Sequence, residues 1–342
     1  MWALSLSAHE IDAVQALTHG IALEHKSVEE VEFIRRAPVY AHELPRRIRE
    51  FLSDFKLQEP ACGVCLISGY PIDNARIGKT PSHWKWKLDT TTSLEEQIMF
   101  VLFGCLLGDP FAWATQQDGY LMHDVLPIKD NEYDQLGTGS EQLLWWHTED
   151  AFHPHRADYL GLMCLRNPDR VATTIGAPDI SRMPQEQVDL LFQPRFLIKP
   201  DESHSEKNES DLRKQTRNGD EVLDSAYEKI RNLNSAPPKV PMLFGNRQTP
   251  YVRLDPYFTT PLDDEAGAAL NALAQSVDEN IQEVVLQPGD CFFIDNYRIV
   301  HGRKAFKARY DGTDRWLKRL NLTRDLRKSQ GSRGGCEMRV MV

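Results

Sequence analysis

Two patterns of apolar and polar positions divide the chain into a helical beginning and a strand-rich remainder. Ser7-Ala-His-Glu10 and Ser27-Val-Glu-Glu30 each place a hydroxyl three residues ahead of a glutamate. That is the spacing of a capping box, in which side chains satisfy the first free amides of a helix. Behind each box apolar residues recur every three to four positions, so two amphipathic helices are expected, the first stopping at Gly20. A third helix is expected over 93–107, where LEEQIMFVLFGCLL is apolar nearly all round and should be buried. His9, His19 and His25 ride on the first helices in solvated or cap-side positions.

Beyond these the pattern shortens. GVCLISGYPI, FAWATQQ, LLWWHTE, YLGLMCLRN, VATTI, PMLFG, YVRLD, EVVLQPGDCFFIDNYRIVHG and RWLKRLNLTRD are β-rich runs punctuated by Gly, Pro, Asp and Asn. Many short strands around one core predict a mainly β fold, a barrel or double-sheet jelly roll with helices packed outside. The stretch 200–239 interrupts them with ESHSEKNESDLRKQTRNGDE and a single amphipathic segment, EVLDSAYEKIRNL. An insertion of that kind is either a lid over a site or a disordered excursion. A last helix fits 263–282, and no internal repeat or low-complexity tract is visible.

Composition narrows the partners. Fifty acids against forty bases leave a net charge of −10, which argues against nucleic acid, because phosphate binding needs a basic surface. At 41% hydrophobic the 342 residues can bury a sizeable core. No run approaches the ~18 apolar residues of a membrane span. The first residues, MWALSLSAHEIDAV, lack the basic start of a signal peptide, so a cytoplasmic protein is expected. Six scattered cysteines, Cys62 and Cys65 among them as a CxxC without a second pair, read as structural thiols.

The chemistry gathers in LLWWHTEDAFHPHRADY. If LLWWHTE is a strand, His147 and Glu149 point to one face and Thr148 to the other. His301 follows 154 residues later: Gly289-Asp290 turns the chain into an apolar strand, and His301 ends the segment after it. Two imidazoles and one carboxylate leave three octahedral positions open, as in non-haem Fe(II) oxygenases. Fourteen residues beyond His301, Arg315 and Arg319 bracket Trp316, and a planar guanidinium suits a carboxylate. HxE pairs and lone histidines arise often by chance, so the order HxE, long β-rich interval, His and Arg carries the reading. His153 and His155 read as loop histidines without a metal role, and His123 as a core, surface or entrance residue. Asp118 and Asp124 read as loop-organising acids. Of Trp145 and Trp146, which alternate faces, one should be core and the other a wall of the site.

At these residues the chain resembles the clavaminate synthase-like Fe(II)/2-oxoglutarate oxygenases, and within them the hydroxylases of free arginine and lysine in bacterial secondary metabolism. The resemblance runs through AHELPRR, GDPFAWATQQDGYLMHDVLPIK, WHTEDAFHPHRADYLGLMCLRNPDRVATT and FIDNYRIVHGRKAFKARYDGTDRWLKR. It implies a double-stranded β-helix in one oxygenase domain over 1–342, with N-terminal helices in 1–60, the jelly-roll core in 61–199 and 240–327, and a lid in 200–239. It implies iron ligands His147, Glu149 and His301, and Arg315 as the receptor for the distal carboxylate of 2-oxoglutarate, with Thr174 or Thr173 beside it. Dioxygen is the other implied cosubstrate. Arg319 would hold the substrate α-carboxylate, Gln116 or its neighbour Gln117 the substrate backbone, and Glu149 also the ammonium.

The match loosens at the side-chain pocket. Arginine hydroxylases of this group often carry two acids, Asp-x-Asp, where YVRLDPYF has Asp255 followed by Tyr257. A single carboxylate suits a compact ammonium better than a guanidinium, so lysine, hydroxylated at C4 or C3, is the expected substrate and arginine the alternative. Asp255-Pro256 also reads as a simple turn former. From a different class, a zinc hydrolase or a non-catalytic cupin-like binding protein could use the same histidines and glutamate. Oligomeric state leaves no mark on the sequence.

Overall fold

The structure, a computed structural model, describes residues 1–85, 90–210 and 221–342. Its centre is the strand Tyr159–Arg166, buried at all but its last position, as a strand covered on both faces must be. It lies between Cys291–Asp295 and Trp316–Thr323, antiparallel to both. The sheet continues on one side through Val64–Ser68 to Trp2–Ser5 and on the other through Asp109–Trp113 to Val340–Met341, while Met122–Val125 also pairs with Trp316–Thr323. A second sheet runs in the order Gln282–Val284, Thr173–Gly176, Val300–Arg303, Leu144–His147. Leu160, Leu162, Phe292, Ile294 and Leu317 of the first sheet pack with Ile175 and Val284 of the second and with Ile299. Two sheets face to face around that core form the expected double-stranded β-helix.

Helices cover both outer faces. Ala8–Glu24, Val31–Ala41, Arg46–Gln58 and Leu94–Leu107 bury Val14, Phe33, Leu52 and Phe100 with Met163, Phe293 and Leu320 of the larger sheet. Gln185–Leu191 and Asp264–Asp278 set Leu191, Leu273 and Val277 in one cluster with Trp146 and Val300 of the smaller. The capping box at Ser7 is present, with Glu10 returning the bond. The helix behind it runs past Gly20 to Glu24, because Ile21 on the next turn is buried. Ser27 caps no helix: its hydroxyl accepts from the Glu29 amide, and the helix begins only at Val31. Arg46–Gln58 falls within the expected helical 1–60 stretch but has no side-chain cap to announce it, and the last helix ends at Asp278 rather than 282.

Of the polar stretch, residues 211–220 lie outside the described residues. Before them come short 3-10 turns at Glu202–His204 and Glu206–Asn208. After them the helix Glu221–Ser235 buries Leu223, Ala226 and Tyr227 against Ala114.

Two glycines are required by close approach. At Gly289, φ is +90° and a Cβ would stand 1.7 Å from the Tyr70 carbonyl oxygen, so only glycine can turn the chain into Cys291–Asp295. At Gly302, between His301 and Arg303, a Cβ would lie 2.5 Å from the Leu144 carbonyl oxygen and 2.9 Å from Thr174 Oγ1. Gly302→Ala should therefore prise the Leu144–His147 strand away and destabilise the fold by ~1–3 kcal/mol. Urea denaturation checks this, and an unchanged midpoint would contradict it.

Candidate active site

Strand pairing brings the histidines together. His301 stands directly opposite His147 in the antiparallel pair of Val300–Arg303 with Leu144–His147, and their ring centroids are 4.6 Å apart. The strand ends at His147, so Glu149 sits just beyond it rather than within it. Its backbone is fastened there by Asn296, whose Oδ1 accepts from the Glu149 amide at 2.6 Å while Nδ2 donates to the Glu149 carbonyl at 3.0 Å. Thr148 turns the other way, to the Leu254 backbone. Glu149 Oε2 lies 3.7 Å from His147 Nε2 and 3.3 Å from His301 Nε2. His147 Nδ1 is 2.8 Å from the Trp145 carbonyl oxygen. That oxygen can only accept, so Nδ1 carries a proton and Nε2 is the nitrogen turned toward a metal, which must displace a proton there to bind.

The charges reinforce one another. Burial pushes the Glu149 carboxyl up, but Arg319 and the two imidazoles hold it well below its ordinary value. Burial opposes protonation of His147, yet hydrogen bonding to Glu149 and the charge of Asp255 raise it to about 9. Two imidazole nitrogens and a carboxylate oxygen within 4.8 Å of one another are a donor set suited to ferrous iron.

The three residues line a cavity that opens to solvent, together with Thr173, Asp201, Ser203, Asp255, Arg303, Arg315 and Arg319. Arg315, from the turn before Trp316–Thr323, is buried and donates from Nη2 to Thr173 Oγ1 at 3.1 Å. Its Nε has no partner, and no ion pair to it is found among the described residues. Burial lowers its pKa to about 10. The unused donors fit a ligand carboxylate. Thr173, not Thr174, is the threonine beside Arg315: side chains alternate along Thr173–Gly176, and Thr174 meets Gly302 instead.

Arg319 pairs with Glu149 Oε1, donates to Gln116 Oε1 at 3.0 Å, and meets His123 Nδ1 at 2.7 Å. His123 is thus a buried partner of Arg319 rather than an entrance residue. Gln117 faces away, exchanging bonds with the Asp124 backbone. Asp124 sits in a strand, paired with Lys318 and Trp316, while Asp118 does organise a loop by accepting from the Ser210 amide. His153 stacks edge-on against Trp113, with ring centroids 4.5 Å apart, and is not among the residues that line the cavity. Trp146 is buried and Trp145 lines the cavity.

Asp255 is buried at the cavity wall, and burial, helped by the charge of Asp201 and opposed by His147, pushes it up to about 6. Tyr257 is 57% exposed. A second acid nonetheless reaches the cavity: Asp201, from the polar stretch, with Ser203 beside it. His204 anchors that stretch, buried against Asp150, Thr115 and Gln116 at 3.0, 2.7 and 3.1 Å. Asp150, Asn296, Asp201, Ser203 and His204 were all missed from the sequence. Only the Pro200-Asp201 punctuation marks the last three, and it signals a turn.

Comparison with known proteins agrees with this geometry. Residues 180–321 match the family described as Taurine catabolism dioxygenase TauD, TfdA family. The chain is 44% identical to the enduracididine beta-hydroxylase of Streptomyces hygroscopicus and 44% identical to an L-ornithine/L-arginine 3-hydroxylase of Catenulispora acidiphila, each over all of both chains. The crystal structure of the non-heme iron oxygenase OrfP with Fe, succinate and (3S)-hydroxy-L-Arg superposes with a TM-score of 0.93, at 46% identity over 99% of each chain. Fold and site thus define an iron-dependent dioxygenase acting on a free basic amino acid. The chain belongs to the clavaminate synthase-like Fe(II)/2-oxoglutarate oxygenases of the TauD/TfdA family. Its cofactor is Fe(II), and 2-oxoglutarate and dioxygen are its cosubstrates. That assignment sets aside the zinc-hydrolase and binding-protein alternatives. No helix among the described residues is long and apolar enough to cross a membrane.

Proposed function

We propose that the protein hydroxylates free L-arginine, or a close guanidino-bearing analogue, at C3. The observation that carries this reading is the second acid on the cavity wall. Lysine was expected because Tyr257 replaces one of two acids, but Asp201 supplies a carboxylate from another segment. A planar guanidinium gains from two acceptors where a compact ammonium needs one. The relatives reported above, an enduracididine beta-hydroxylase and an L-ornithine/L-arginine 3-hydroxylase, support the same carbon, and the second has arginine as one of its two named substrates.

In this reading His147, Glu149 and His301 hold iron, which with 2-oxoglutarate and dioxygen supplies an oxidant strong enough for an unactivated C–H bond. Arg315 and Thr173 hold the far carboxylate of 2-oxoglutarate. Arg319 and Gln116 take the substrate α-carboxylate, and Glu149 faces its ammonium. Asp255 and Asp201 grip the guanidinium, so that both ends of the substrate are fixed and the carbon presented is decided by position. Ser203 and His204 bring Asp201 to the cavity, which helps to exclude water.

A panel of arginine, homoarginine, ornithine and lysine, turned over with iron, 2-oxoglutarate and ascorbate, tests this. Arginine should show the highest kcat/KM and gain one oxygen, located at C3 by NMR of the product. A higher kcat/KM for lysine, or oxygen at another carbon, would overturn it.

A further inference from the structure

Arg303 is buried in the strand that carries His301 and lines the same cavity. Two positions apart on one strand, the side chains of His301 and Arg303 point to the same face. The register places Thr173 directly across from Arg303, and Thr173 is the residue whose hydroxyl receives Arg315. Nη1 of Arg303 is spent on the Ser140 and Lys304 carbonyls, at 3.3 and 2.9 Å, and the guanidinium carbon lies 5.1 Å from the Phe306 ring centroid. Its Nε and Nη2 are buried without a hydrogen-bond partner, and no ion pair to it is found among the described residues. Two buried cations on one cavity wall, neither with an ion-pair partner among the described residues, are unfavourable until an anion arrives.

We infer that Arg303 is a second receptor for the distal carboxylate of 2-oxoglutarate, donating from Nε and Nη2 to the anion that Arg315 and Thr173 hold from the other side. This rests on the reading of Arg315 as the carboxylate receptor. The pair would favour a dicarboxylic 2-oxo acid over a monocarboxylic one, because only the former brings the charge that both guanidiniums lack.

The test is calorimetric titration of the Fe(II) enzyme under anaerobic conditions with two ligands. One is 2-oxoglutarate and the other 2-oxopentanoate, which has the same carbon chain but a methyl group in place of the distal carboxylate. Arg303→Met should weaken 2-oxoglutarate by about tenfold to a hundredfold, the worth of a charged hydrogen bond, and leave 2-oxopentanoate unchanged. Equal weakening of both ligands, or of neither, overturns the inference. Should Arg303→Met not fold, Arg303→Lys must show the same selective loss in smaller measure, and an unchanged ratio of the two affinities there overturns the inference as well. Arg315→Met separates the two readings. If it weakens 2-oxoglutarate and Arg303→Met does not, this inference alone fails. If Arg315→Met has no effect, the carboxylate-receptor reading beneath it fails too.

Discussion

Alanine in place of His147, Glu149 or His301 is expected to bring substrate-dependent succinate formation below detection while the protein stays folded. Glu149 Oε2 lies 3.7 and 3.3 Å from the two Nε2 atoms, and beyond that the site's own packing is the contact of the two imidazole rings. The sheets beneath them are held by other residues, among them Leu160, Ile175 and Phe292. Loss of a partner to a metal ligand already lowers metal affinity by about 10–100-fold, and loss of the ligand itself should lower it further. Iron content after anaerobic loading, succinate yield and the far-ultraviolet circular dichroism spectrum together decide the matter. Full turnover by any of the three variants would remove that residue from the metal site. Asn296→Ala makes a graded companion, because it frees the Glu149 backbone without touching a donor.

What could be read along the chain depended on whether the physical cause was local. The alternation in LLWWHTE put His147 and Glu149 on one side and Thr148 on the other, and the geometry agrees although the strand stops at His147. Convergence of His147 with His301 is a matter of strand register over 154 residues, which no local pattern encodes; there the family resemblance supplied what periodicity could not. The choice of Thr173 over Thr174 was hidden for the same reason. Gly20 misled because a glycine with open space around it does not stop a helix whose next turn is buried. Asp201 was missed most consequentially. It belongs to a polar stretch without periodicity, and its place in the cavity depends on His204 finding Asp150, Thr115 and Gln116. A count of acids confined to YVRLDPYF therefore favoured lysine, whereas the reading proposed above counts Asp201 as well and favours arginine.

Asparagine at Asp201 or Asp255 provides the sharpest test of that proposal. Asp255 is buried and Asp201 half-buried; removing the Asp201 charge beside a bound cation costs about 1–2 kcal/mol, so Asp201→Asn should raise KM for arginine about fivefold to thirtyfold with a smaller change in kcat. Lysine offers one compact ammonium that Asp255 alone can meet, so its KM should move less, and the preference for arginine should shrink. Asp255→Asn should impair both substrates, because it takes away the acid they share. The wild type should also show a pH signature. Burial pushes the Asp255 carboxyl up to about 6; a raised acid carries its charge above that pH and loses it below. KM for arginine should therefore rise as pH falls through about 6, and Asp255→Asn should flatten that limb of the profile. If Asp201→Asn leaves KM for arginine where it was, the second acid does not touch the substrate, and the case for a guanidinium over an ammonium loses its physical basis.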